Sequence, residues 1–274
     1  MQGLKNFIPT DLKIAYINKL LNCGFDTLDM GSFVSPSVIP QLKDTSVVLD
    51  KINSSSTTKL LTIVANVQGA KNAVEYDSIN YLGYPFSISE TFQKRNINKS
   101  IEASMILLDE LYNIAESRNK EVVLYLSMGF RNPYGDKWSE ELVHEWVDKL
   151  NVNFSPSIIA ISDTIGCANP EQVERLFKNL NDSFDSIEFG AHLHVLPHNV
   201  ESLSNAAFNG GCRRFDSVIK GLGGCPMAKD DLTGNMPTEL LLNWIESNNI
   251  AHGISAEAFS DALEFSSQVF KSNT

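Results

Sequence analysis

The sequence predicts an α/β fold, a TIM-type (β/α)8 barrel that is incomplete at strand 1. Three observations predict it. Apolar strand patterns alternate with helical patterns along the whole chain, which implies parallel strands joined by crossover helices. No Gly-rich dinucleotide loop follows an early strand, as it would in an open, doubly wound nucleotide-binding sheet. The chain opens in a loop and a helix, so seven strand patterns fit a barrel of eight with the first one ahead of residue 1.

The first element is the helical run Thr10–Asn22, followed by the strand Thr27–Gly31. Leu60–Asn66 and Ser78–Tyr84 are the next apolar strands. Helix Lys99–Ser117 leads to strand Glu121–Ser127, and helix Ser139–Asn151 to strand Ile158–Ser162. Helix Pro170–Asn181 ends in the polar turn 181–185. The apolar-rich run Ser186–His192, continuing to His194, reads as a strand after that turn. Helix Val195–Asn209, strand Arg214–Val218 and helices Thr238–Ser247 and Ala256–Phe270 complete the series. No Gly/Ser/Pro linker and no short repeat interrupts it, so residues 1–274 are expected to form a single catalytic domain.

A chain of 274 residues is close to the usual barrel length of about 250. Its net charge of −11 argues against non-specific nucleic-acid binding, which needs a basic surface. An anionic small ligand remains open to it through a local basic cluster. No apolar run approaches the roughly 20 residues of a membrane span, and the opening residues do not form a signal peptide. Four scattered cysteines (Cys23, Cys167, Cys212, Cys225) fit a reduced, cytoplasmic protein.

Polar residues gather at the C-terminal ends of the strands: Asp29, Asn66, Asp163 with Thr164, then His192 and His194. In a parallel barrel all these ends lie on the face where active sites are built. Asp29 and Asp163 could instead cap helices or form internal ion pairs. Residues two apart on a strand share a face, so His192 and His194 point the same way and suit two ligand bonds to one metal ion. The competing reading is a pair of histidines that are only hydrogen-bonded or exposed. After strand Arg214–Val218 comes Gly221-Leu-Gly-Gly-Cys-Pro226. Its glycines allow strained angles or close approach to a ligand, and its loop thiol, Cys225, can act as nucleophile or general acid. The alternative is a turn with an incidental cysteine.

Several segments together carry a resemblance: Gly31-Ser-Phe-Val-Ser-Pro36 with Pro40-Gln41, Asn96-Ile-Asn98, Ser162-Asp-Thr-Ile-Gly166, His192-x-His194, Gly221-Leu-Gly-Gly-Cys-Pro226 and Thr233-Gly-Asn235. The chain resembles, over nearly its full length, the 3-hydroxy-3-methylglutaryl-CoA lyases within the metal-dependent lyase and synthase barrels. The resemblance implies Mg²⁺ or Mn²⁺ held by His192, His194, Asn235 and an aspartate. That aspartate belongs to an Arg-Asp pair at the end of the first strand, shortly before a Gln that matches Gln2. The chain begins after that pair, so one ligand, an arginine and the first strand are expected to be missing and activity impaired. A start site placed too late, a truncation and true degeneration are the alternatives, and an artefact of the start is favoured over degeneration.

The reaction implied is cleavage of 3-hydroxy-3-methylglutaryl-CoA to acetoacetate and acetyl-CoA. His192 and Asp163 are candidates for the hydroxyl proton, Cys225 for protonating the enolate, and Asp29 matches an acidic position of the family. Gln2, Asn96, Asn98, Gly223 and Gly224 are the expected substrate-side residues, for an acyl-CoA. A homodimer is expected. The alternatives are a condensing synthase using acetyl-CoA and a 2-oxo acid, a hydroxy-oxo-acid aldolase, and a non-catalytic acyl-CoA binder. Synthases commonly carry a further C-terminal region, and the Cys225 loop favours a lyase.

Overall fold

A computed structural model describes residues 1–2, 4, 6–53, 55–223 and 234–271. In chain order its elements are α1 (Thr10–Leu21), β1 (Thr27–Ser32), α2 (Thr45–Leu49), β2 (Lys59–Ile63), α3 (Val67–Ala73), β3 (Ile79–Ser87), α4 (Glu90–Ile97) and α5 (Ile101–Glu116). There follow β4 (Glu121–Ser127), α6 (Glu140–Phe154), β5 (Ile158–Asp163), α7 (Pro170–Ser183), β6 (Glu188–Leu193), α8 (Val200–Asn209), β7 (Arg214–Phe215), α9 (Thr238–Ser247) and α10 (Ala256–Phe270). The strands stand in the order β1 to β7, each beside its neighbour in sequence. The β1–β2, β2–β3, β4–β5, β5–β6 and β6–β7 ladders are parallel. This is the connectivity of a (β/α)8 barrel short of one strand, with β1 and β7 at the two ends of the order. No eighth strand occurs among the described residues.

The described residues cluster into two compact units. One holds residues 1–83, 113–121 and 251–274. There α1 buries Tyr16, Ile17, Leu20 and Leu21, and Tyr16 meets Phe270 of α10 edge-on at 5.7 Å between ring centroids. The other unit holds residues 84–112 and 122–250. Its β5 is buried along its whole length, as expected of a parallel strand covered on both faces. Val143, Val147 and Leu150 of α6, and Val173, Leu176, Phe177 and Leu180 of α7, are buried at helical spacing. Side-chain caps start α3, α4, α6, α7 and α10, from Asn66, Ser89, Ser139, Asn169 and Ser255 respectively.

All seven predicted strands and all seven predicted helices are present; β4, α9 and α10 keep the expected bounds and the others have shifted ends. The strand expected over Arg214–Val218 stops at Phe215 because Val218 turns to another partner, its amide donating to Met236 O. β3 runs past Pro85 to Ser87, although proline gives the ladder no N–H. The helix expected from Val195 starts at Val200, after a short 3-10 turn over Pro197–Asn199. Helices α2, α3 and α4 have no counterpart in the sequence reading. They are short, and α3 carries Gly69, whose added Cβ would lie 2.7 Å from Phe33 O. Close packing thus requires a residue that ordinarily weakens a helix.

The first unit contains a buried ion pair. Lys13 Nζ lies 2.8 Å from Asp44 Oδ1, with the side chains 2% and 9% exposed. Nζ also donates to Gln41 O, and Thr10 Oγ1 donates to Asp44 Oδ2 at 2.8 Å. Gln41, singled out in the sequence with Pro40, accepts from Ile8 N at 2.8 Å and donates to Asn6 O at 2.8 Å. These bonds fasten residues 6–8 to the turn before α2. Asp44→Ala would strand a buried ammonium, so urea denaturation should show a loss of about 3–5 kcal/mol. A loss below 1 kcal/mol would show that the pair is not needed.

Candidate functional site

Strands β5, β6 and β7 place a set of polar side chains in register at their ends. Ser162 pairs with His192 and Asp163 with Leu193, while Ala191 pairs with Phe215. The pairing reaches one step past β7, because Asp216 N donates to Ala191 O at 3.0 Å. His192 and Asp216 are therefore neighbours on one face. His192 Nδ1 lies 3.0 Å from Asp216 Oδ2, with the side chains 32% and 27% exposed. An ionised carboxylate only accepts, so this contact is a hydrogen bond when His192 carries its proton on Nδ1. Tyr125 meets the His192 ring edge-on at 5.3 Å. It reaches across because Ala160 and Gly190, the residues in register with it on β5 and β6, are small.

His194 follows two residues later, with its ring centroid 5.9 Å from that of His192. It is buried. Its amide donates to Asp163 O at 3.2 Å, and it forms an antiparallel bridge with Asn235. Asn235 is held twice: its backbone N donates to Gly221 O at 3.2 Å, and Nδ2 donates to Leu222 O at 3.1 Å. With the amide nitrogen so engaged, Oδ1 is the atom left to face a cation. Gly221 makes this approach possible: its φ is +60°, and a Cβ there would lie 2.7 Å from Asn235 O. Gly223, also left-handed, sits beside the Asn235 amide.

The structure thus brings His192, His194 and Asn235 into one cluster. Ring centroids 5.9 Å apart let two imidazoles share one ion, since each nitrogen binds at about 2.1 Å. Two imidazoles with one amide oxygen suit a divalent ion, though weakly, because the set carries no charge. Among the described residues no three His, Cys, Asp or Glu side chains gather as a metal site.

Asp163 has different surroundings. It is 1% exposed, and burial pushes its pKa above the ordinary value. Its carboxylate accepts from Cys167 N at 3.0 Å and Ala168 N at 2.8 Å, fixing the turn after β5. By register with Leu193 it projects from the face opposite that of His192. Asn66, another strand-end residue, caps α3 by accepting from Gly69 N.

Asp29 is exposed on β1 beside an irregularity in the β1–β2 register, and Gln2 is exposed in the opening turn. Asn96 is half-buried in the last turn of α4, and Asn98 ends that helix with φ +54°. Gly224 and Cys225 lie outside the described residues. Sequence reasoning missed Asp216 and Tyr125. Asp216 follows strand residues Arg214–Phe215 and so occupies the strand-end position that drew attention to Asp29 and Asp163. Tyr125 gave no signal, since an aromatic inside a strand reads as core.

The family profile described as HMGL-like matches residues 1–265. The chain belongs to the HMGL-like family. It is similar to the hydroxymethylglutaryl-CoA lyase YngG of Bacillus subtilis, at 33% identity over 96% of this chain and 88% of that one. It is 30% identical to the human mitochondrial hydroxymethylglutaryl-CoA lyase, over 100% of this chain and 83% of the relative. Two solved structures are close in fold. An Acinetobacter baumannii HMG-CoA lyase in complex with coenzyme A and 3-methylmalate matches with a TM-score of 0.90 and 30% identity, over 98% of this chain and 87% of that one. The Bacillus subtilis HMG-CoA lyase matches with a TM-score of 0.90 and 32% identity, over 97% and 89%. The HMGL-like relatives thus share both the fold and most of the length.

In this HMGL-like chain, Gly221→Ala adds a methyl group against Asn235 at a left-handed position. Thermal unfolding should register a loss of roughly 1–3 kcal/mol, and Mn²⁺ affinity should fall with it. Unchanged stability and affinity would show that Asn235 is not placed by this approach.

Proposed function

We propose that the chain is a carbon–carbon lyase that cleaves 3-hydroxy-3-methylglutaryl-CoA to acetoacetate and acetyl-CoA. The convergence of His192, His194 and Asn235, in a chain whose relatives are named for this substrate, carries the reading. The relative solved with coenzyme A and 3-methylmalate supports an acyl-CoA ligand. When bound at these three residues, Mg²⁺ or Mn²⁺ would lower the pKa of the tertiary hydroxyl and offset charge on the enolate oxygen.

The hydroxyl proton leaves as the C–C bond breaks. The O–H electron pair forms the ketone of acetoacetate, and the bond pair passes to the thioester enolate. His192 has one nitrogen beyond its contact with Asp216, so it cannot ligate an ion and accept this proton at once. We assign it the ligand role through Nε2. The proton then falls to Asp163, whose desolvated carboxyl has a raised pKa suited to holding one. To reach the hydroxyl, Asp163, the last residue of β5, must release its bonds to Cys167 and Ala168 and turn from the face opposite His192. Cys225 then protonates the enolate carbon. Asp29 stays with the catalytic residues of this proposal, Gln2, Asn96, Asn98, Gly223 and Gly224 belong to its substrate side, and a single-domain, cytoplasmic homodimer completes it. Among the described residues Cys23, Cys167 and Cys212 are free thiols, and no helix is long and apolar enough to cross a membrane.

Acetoacetate release from 3-hydroxy-3-methylglutaryl-CoA, measured with Mn²⁺ and after chelation, tests the assignment. Turnover should require the ion. Cys225→Ala should abolish most of it, and Asp163→Asn should lower it about 10²–10⁴-fold, both with Mn²⁺ affinity kept. Full turnover in Asp163→Asn would shift the proton to another group. Condensation of acetyl-CoA with a 2-oxo acid, without cleavage, would make the protein a synthase. Acyl-CoA binding without either reaction would make it a binding protein.

A further inference from the structure

We infer that Asp216 is a positioning residue: it fixes His192 as the Nδ1–H tautomer and presents Nε2 to the site. The inference builds on the proposed role of His192, but the tautomer is a property of the ion-free protein.

Backbone pairing dictates the contact. Ala191 and Phe215 are partners in the β6–β7 ladder, so the next residues on each strand, His192 and Asp216, stand side by side. The Asp216 amide is still pinned to β6, at 3.0 Å from Ala191 O. Two residues later the chain has left β6, with Val218 N on Met236 O. Asp216 is thus the last position at which this backbone can set a side chain against His192. A shift of one residue would send the carboxylate to the other face. The Nδ1 to Oδ2 distance of 3.0 Å is that of a formed hydrogen bond. Tyr125 packs edge-on to the ring at 5.3 Å, restricting its rotation. Between them the two neighbours define the imidazole plane and leave one nitrogen for chemistry. A second partner of this kind commonly raises the basicity of a ligating histidine and holds its ring direction.

The test uses the full chain with ¹⁵N-labelled histidine. At pH 8, where an ordinary imidazole is neutral, ¹⁵N NMR of the ion-free protein should show His192 protonated on Nδ1. Asp216→Ala should abolish that preference. Asp216→Asn should keep it in part, because its amide oxygen still accepts. A merely structural residue would not move the tautomer. Mn²⁺ titration calorimetry should show a fall of about 10–100-fold in affinity for Asp216→Ala and a smaller fall for Asp216→Asn. Nε2–H as the main tautomer of the unmodified protein, or a tautomer that neither variant changes, would overturn the inference. So would a loss of Mn²⁺ binding in Asp216→Asn as complete as in His192→Ala, which would make Asp216 a ligand. If the chain binds no Mn²⁺, the metal reading fails, while the NMR result still decides the role of Asp216. Should Asp216→Ala fold poorly, the isosteric Asp216→Asn carries the same comparison.

Discussion

Parallel pairing of β5, β6 and β7 decides which side chains share a face where these strands end, and the candidate site follows from it. One register sets His192 beside Asp216. The ladder on the other side of β6 pairs Ser162 with His192 and turns Asp163 away. Strand side chains alternate with a period of two, so a slip of one residue would exchange these faces and dissolve the cluster. Ladder bonds between backbones therefore fix a choice that no single side-chain contact could.

Asn235 shows the same dependence on backbone. It comes from a distant part of the chain and joins His194 through a bridge rather than a strand. What admits it is the absence of a side chain at Gly221. The glycines of this segment thus have a use within the described residues, apart from whatever Cys225 does. In the other unit the polar cluster serves structure: Lys13, Asp44 and Gln41 bond to one another, to Thr10 and to nearby backbone. A buried charge pair of this kind is costly to break from one side.

Much of this was legible in the sequence, and the gaps have physical causes. Seven strands stood out because parallel strands buried on both faces leave apolar runs such as Ile158–Ile161. Helices α2, α3 and α4 did not, being too short for a helical period and, in α3, interrupted by a glycine needed for packing. His192 and His194 were visible as a strand-end pair. Asn235 entered only through family resemblance, since nothing local marks an asparagine as the partner of a histidine about forty positions earlier. Asp216 was overlooked because its meaning lies in the register with Ala191, a long-range fact. Asp163 looked like the other strand-end acids, yet its carboxylate turns into the following loop, and strand position alone could not tell the two arrangements apart.

The central claim is that His192 and His194 together bind a divalent ion. Electron spin-echo spectroscopy of the Mn²⁺-loaded chain tests it most directly, because imidazole nitrogen bound to manganese modulates the echo. The account predicts modulation from two imidazoles, reduced to one in either His192→Ala or His194→Ala. A loaded protein without imidazole modulation, or with modulation unchanged in both variants, would contradict it.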